Sequence, residues 1–156
     1  MKLKGREIKG PNIEYIIIPR HDGDLVFKAQ AVLDMSGFDK VYPEPQAPMI
    51  QKPGGAREPD LKDPGYVGLV GRRNQARYGY MMMQALSITE DLEWSILKAD
   101  DQTTWHLWEE ELRQAGFSTP EVNIIMDGLS AANGLNQDKL EQARKRFFAG
   151  LTQPTV

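Results

Sequence analysis

The chain contains no cysteine, which removes disulfides, thiolate nucleophiles and thiolate metal sites together. It has only two histidines, His21 and His106, too few for a histidine-rich metal site. Its densest apolar stretch, Tyr15 to Ile18, falls far short of the roughly 20 residues that a membrane-spanning helix needs. Met1 to Gly10 carries charge but no apolar run of signal-peptide length, so the expected compartment is the cytoplasm. A strong charge of one sign is also missing. The net charge is −3, and no field of that size recruits nucleic acid over a whole surface.

What is present belongs to a folded protein. Hydrophobic residues make up 40% and charged residues 26% of 156 positions, which is globular composition and enough length for one real core. The charge is unevenly placed. Residues 1–78 hold 13 basic and 10 acidic side chains, a net of +3, and residues 79–156 hold 6 and 12, a net of −6. The two halves therefore attract each other, or neighbouring copies head to tail.

Three regions and a short tail follow along the chain. Residues 1–42 read as strands. Ile13, Tyr15 and Ile17 alternate with Glu14 and Ile16, and the β-branched run Ile16-Ile17-Ile18 suits a strand. Pro19 ends it, and the cluster Arg20 to Asp24 makes a turn. Leu25 to Asp34 resumes, with Leu25, Phe27, Ala29 and Ala31 on one face, giving a hairpin. Leu3 to Ile8 is a candidate third strand, with Gly10-Pro11 as the turn after it.

Residues 43–66 carry Pro43, Pro45, Pro48, Pro53, Pro59 and Pro64, broken by Gly54-Gly55. Fixed φ values and missing N–H donors argue against helix or sheet here. The segment is a flexible linker or an extended arm laid on a surface. Residues 67–150 read as helical, with expected helices at 68–85, 88–98, 103–115, 119–132 and 136–148, and residues 151–156 as a tail. Ser87 to Glu90 fits a capping box. Ser118-Thr119-Pro120-Glu121 is a stronger start signal, Asn133-Gly134 a stop, and Asn136 a further cap. The 88–98 segment has a second reading as a strand, because Leu92, Trp94 and Ile96 alternate. The expected fold class is α+β: an N-terminal antiparallel β-hairpin or small sheet, a Pro-rich connecting arm and a C-terminal bundle of about five helices.

No constellation points to catalysis. Glu109-Glu110-Glu111 lies beside His106, but Trp105, Trp108, Leu112 and Ala115 recur at helical spacing and form a buried stripe. The glutamates are then expected to face water. Asp22-Gly23-Asp24 and Asp100-Asp101 lack the spaced oxygen ligands of a calcium loop. Arg72, Arg73 and Arg77 with Tyr78 form one basic, aromatic patch, a thin footprint for nucleic acid. Tyr78, Tyr80, Met81, Met82, Met83, Ala85 and Leu86 make half of one helix apolar nearly all round. Such a helix is either sandwiched in a core or offered to a partner, and methionines suit adaptable surfaces. Tyr78, Tyr80, Met81, Met82, Met83 and Leu86 are the candidate partner-binding residues.

One resemblance runs through the C-terminal half. Trp94 in a short helix is followed by Thr104-Trp105 and then Trp108-Glu109-Glu110-Glu111-Leu112. Next come Ala115-Gly116-Phe117-Ser118, the Pro120-Glu121 helix start, Ala131-Ala132-Asn133-Gly134-Leu135, and a last helix from Leu140 to Phe148. This order resembles the tail assembly chaperones of long-tailed, siphovirus-like bacteriophages. The N-terminal hairpin followed by Tyr42 to Pro48 is similar to them as well. The resemblance rests on pattern across most of the chain, with no catalytic signature. It implies a protein that is not an enzyme, takes no cofactor and works in the cytoplasm of an infected bacterial host. Such a protein coats the helical tape measure protein, keeps it soluble, and helps recruit tail tube protein around it. Many members exist in two lengths through ribosomal frameshifting, and the resemblance implies that this chain would be the short form. Self-association is a further expectation, and a membrane is not. The alternatives are a small structural virion protein, such as a head–tail connector or tail-completion component, and a small nucleic-acid-binding regulator acting through Arg72, Arg73 and Arg77.

Overall fold

The computed structural model describes residues 1–151. Its strands are β1 (Lys2–Leu3), β2 (Arg6–Glu7), β3 (Ile13–Ile18), β4 (Leu25–Gln30), β5 (Met49–Gln51) and β6 (Arg57–Pro59). Its α-helices are α1 (Ser36–Val41), α2 (Pro64–Leu86), α3 (Trp108–Gln114), α4 (Thr119–Ala132) and α5 (Gln137–Leu151). A 3₁₀ helix, Gln102–Leu107, precedes α3. The strands form three two-stranded antiparallel sheets, β1-β2, β3-β4 and β5-β6. The α+β class is therefore as expected. No helix among the described residues is long and apolar enough to cross a membrane.

The chain forms two compact units, neither continuous in sequence. One comprises Met1–Val32, Ala85–Thr89 and the chain from Thr119 onward; the other comprises Leu33–Gln84 and Glu90–Ser118. The sequence-based division at residues 42 and 66 runs along the chain, whereas these units cut across it. The expected tail, residues 151–156, lies outside the described residues apart from Leu151, which ends α5.

In the first unit β3 and β4 pair in the register Ile13↔Gln30 to Ile18↔Leu25. Strand alternation sends Ile16, Ile18 and Ala29 inward, where they are buried with Ile125, Leu129 and Ala132 of α4. Gly128 lets α4 come close, since a Cβ there would lie 2.3 Å from Ile16 Cγ1. Asn12 Nδ2 donates to the Ala132 carbonyl at 3.1 Å, and Val32 N–H donates to Asn133 Oδ1 at 3.0 Å, tying the strand ends to the end of α4. The stop signal behaves as read: Gly134 has φ +74°, with Gly134 N–H on Ala131 O and Leu135 N–H on Ser130 O. Asn136 Oδ1 then accepts from Lys139 N–H at 3.0 Å and opens α5.

Two expectations fail in this unit. Leu3 to Ile8 is a small hairpin of its own and not one strand, because Lys4 and Gly5 both take positive φ (49° and 78°) and make a tight two-residue turn. The strand expected over Leu25 to Asp34 stops at Gln30.

In the second unit α2 lies against the 3₁₀ helix. Gly79 makes this approach possible, since a Cβ there would sit 1.8 Å from the Trp105 carbonyl oxygen. Phe38, Trp105, Trp108, Leu112 and Ala76 are buried. Ala115, expected on the same stripe, is exposed. The expected 103–115 helix is split into the 3₁₀ turn and α3, which Gly116 ends at φ +88°. Residues 43–65 are neither bare linker nor plain arm, because β5 and β6 pair within them around the Gly54-Gly55 turn. Helix α1 was not foreseen.

The expected 88–98 helix is absent. Asp91 takes φ +58°, which breaks a helix. The N–H groups of Ser95, Ile96 and Leu97 donate to the Glu111 carboxylate at 2.8, 2.5 and 2.9 Å. Glu111 is thus buried, contrary to the expected solvated acidic face, while Glu109 is exposed. The would-be capping box serves β4: Lys28 N–H donates to Thr89 Oγ1 at 3.0 Å, the Thr89 hydroxyl donates to Lys28 O at 3.0 Å, and Gln30 Nε2 donates to Ser87 Oγ at 3.2 Å.

Candidate protein-binding surfaces

The apolar run on α2 is mostly interior. Met82, Met83 and Leu86 are buried, and Tyr80 and Met81 are half-buried. Tyr78 alone among the six is exposed, at 47%, with its ring centroid 6.3 Å from that of Trp108. The core reading of this run therefore covers Met82, Met83 and Leu86. Gly79 carries the signal in the sequence: a glycine inside an apolar helical run marks a close approach by another backbone.

Around Tyr80 the side chains form an aromatic cluster. Phe38 stacks on Tyr42 with centroids 5.3 Å apart and planes 9° apart, and Tyr80 lies 4.8 Å from Trp105. The Arg73 guanidinium sits 5.1 Å over the Phe38 ring, donating through Nε to the Tyr42 carbonyl at 3.1 Å and through Nη2 to Asp39 Oδ1 at 3.0 Å. One of the three arginines of the basic patch is thus committed to packing, and only Arg72 and Arg77 stay exposed. Beside this cluster an open groove of about 440 Å³ is lined by Tyr42, Pro43, Leu69, Arg72, Thr103 and His106, among others. His106 reaches this groove, whereas Glu111, its neighbour in the acidic run, is turned onto the 95–97 backbone. The histidine and that carboxylate do not form an acid–base pair.

Two other apolar surfaces are open. On α5 every residue is exposed, yet Leu140, Ala143, Phe147 and Leu151 recur at steps of three and four and share one face. The helix is fixed at its start by the Asn136 cap and by an ion pair from Lys139 to Glu14. On the hairpin, Ile13, Tyr15, Ile17 and Val26 lie on the face turned away from α4, each about half exposed. Sequence reading did not select either surface. The α5 periodicity was visible as a helix but not as one left without a cover. The β3 run was apolar at every position except Glu14, so alternation alone did not say which face α4 would take. No protein-family model, curated protein or solved structure matches the chain.

Proposed function

We propose that this chain binds a helical segment of another protein, and that it does so as a tail assembly chaperone acting on the tape measure protein. The observation that carries the reading is α5. An amphipathic helix that buries none of its residues in its own chain keeps its apolar stripe for a partner, and a second amphipathic helix is the matching shape. The basic and acidic residues between Asp138 and Arg146 surround the stripe with charge, which keeps such a helix soluble while it waits. The resemblance of the C-terminal half to the phage chaperones supports the tape measure protein as the partner. The α2 run contributes through Tyr78 at most, because its methionines at 82 and 83 are interior.

Co-expression with a tape measure segment tests this. The wild type should hold the segment in the soluble fraction. The double variant L140D/F147D should keep the wild-type circular dichroism spectrum and melting temperature, because neither side chain is buried, and should lose the solubilising effect. A folded double variant that still solubilises the segment removes α5 from the surface. A wild type that solubilises no tape measure segment overturns the chaperone reading and favours the structural virion protein.

A further inference from the structure

The β3-β4 hairpin has one closed edge and one open edge. Ala31 N–H donates to the Asn12 carbonyl, which fixes the phase of the ladder. The pairs Glu14–Ala29, Ile16–Phe27 and Ile18–Leu25 then exchange hydrogen bonds, and Ile13, Tyr15 and Ile17 turn their peptide groups away from β4. On the far side of β4 the outward groups of Lys28 are satisfied by Thr89. Among the described residues nothing pairs with the outward N–H and C=O groups of Ile13, Tyr15 and Ile17. An open strand edge takes another strand.

The alternate positions whose peptide groups face out from that edge read the same in both directions. About Tyr15, isoleucine stands two residues away on each side (Ile13 and Ile17), and proline four residues away on each side (Pro11 and Pro19). The prolines have no N–H to offer, so the free donors of the edge end at Ile13 and Ile17. Edges that avoid pairing carry lysine or inward charges; this one carries none at the three outward positions. The one inward charge on the strand, Glu14, is on the α4 side and is neutralised by its ion pair with Lys139.

We infer that β3 pairs antiparallel with β3 of a second copy of this chain, on a two-fold axis through Tyr15, to make a continuous four-stranded sheet. In this register Tyr15 faces its own symmetry mate, and Ile13 of each copy faces Ile17 of the other. Every open N–H and C=O of the edge is then used, which a register shifted along the strand does not achieve. The joined sheet also brings the two exposed bands of Ile13, Tyr15, Ile17 and Val26 together as one apolar surface. The interface is isologous, so it closes at two copies and does not propagate.

The absence of cysteine from the sequence makes the register directly testable in the intact chain. Directly opposed residues of a hydrogen-bonded antiparallel pair have Cα atoms about 5.5 Å apart, within disulfide range. Under mild oxidation Y15C should form a covalent dimer, while V26C, on the same face but in β4, one strand away from the two-fold axis, should not. Sedimentation should give a dimer for the wild type and half that mass for Y15K and for Y15E, each still melting cooperatively but, unlike the wild type, at a temperature independent of protein concentration. Mixing Y15K with Y15E should restore the dimer, which a merely unfolded variant cannot do. A wild type that stays monomeric up to hundreds of micromolar, or equal cross-linking of Y15C and V26C, would overturn the pairing. Loss of the dimer without loss of tape measure solubilisation leaves the proposed function standing, and the two readings fail separately.

Discussion

Gly128 of α4 lies directly over Ile16 of β3, so closely that a Cβ on the glycine would stand 2.3 Å from Ile16 Cγ1 and 2.6 Å from its Cδ1. In an isolated helix, alanine is better than glycine by roughly 1 kcal/mol. Here the order should reverse. Ile16 is buried and β-branched, so it cannot swing its Cγ1 away without leaving its rotamer. G128A should destabilise the protein by about 1–3 kcal/mol, the usual cost of overpacking. I16A alone should also destabilise, but the double variant should recover part of the loss. Urea denaturation of the four proteins gives the coupling; additive losses would mean that the two residues do not meet.

Glu111 organises a segment that has no regular structure of its own. Its two oxygens take the N–H groups of Ser95, Ile96 and Leu97. E111A leaves donors without an acceptor, and a buried unsatisfied donor costs about 1–3 kcal/mol. E111Q should be nearly as harmful, because its NH₂ group would confront N–H donors where a carboxylate oxygen stood. The check is thermal denaturation with amide exchange: Leu97, which is buried, should lose its protection in both variants. An E111Q protein as stable as wild type would count against this account.

The contrast between this segment and α4 shows what could be read in the sequence. The end of α4 is set by local chemistry at Asn133-Gly134, its start falls at the Ser-Thr-Pro-Glu signal, and its bounds agreed with expectation. Ser87 to Glu90 offered equally good local chemistry, yet Thr89 bonds to Lys28, 61 residues away in the chain. The donors of residues 95–97 are likewise taken by a carboxylate 14 to 16 residues downstream. A capping box competes with such partners, and no periodicity reveals them. The candidate surface shows the same limit. An apolar helix face at Tyr78 to Leu86 is legible, but whether it is interior depends on the approach of Trp105 to Gly79.

Asp101 caps the 3₁₀ helix and should titrate low. Its Oδ1 accepts from the Thr103 hydroxyl at 2.6 Å and from Thr103 N–H at 3.0 Å. The hydroxyl bond first, and the backbone bond second, hold its carboxyl below the ordinary value of 3.8. With the folded value depressed, the cap's stabilising effect is fully present above the ordinary aspartate value and is lost as pH falls through the folded one. T103V removes the larger cause, so the Asp101 carboxyl should move back up toward the ordinary range in a carbon-13 titration. The melting-temperature gap between T103V and wild type should be present near neutral pH and close as the pH falls through the depressed value of the folded carboxyl. A gap that is constant with pH would assign the effect of T103V to packing.

A fragment of residues 67–150 keeps the start and stop signals from Ser87 onward but cuts off the first turn of α2, where Asp63 Oδ1 accepts from Tyr66 N–H, and it should not fold cooperatively. Within the first unit, α4 would lose β3 and β4, and Ile125 and Leu129, both nearly fully buried, would face water. Exposing a buried leucine or isoleucine costs roughly 1.5–3 kcal/mol, against a total stability of about 5–15 kcal/mol for an ordinary domain. Within the second unit, Tyr80 and Trp105 would lose Phe38, whose ring centroid lies 5.8 and 5.9 Å from theirs. Arg73 would lose the Tyr42 carbonyl and the Asp39 carboxylate. The fragment should show helical circular dichroism that declines broadly with temperature. Adding a peptide of residues 1–66 in trans should restore a sharp transition if the missing strands and α1 are the cause. A fragment that melts sharply on its own would show that the helices need neither the hairpin nor Phe38.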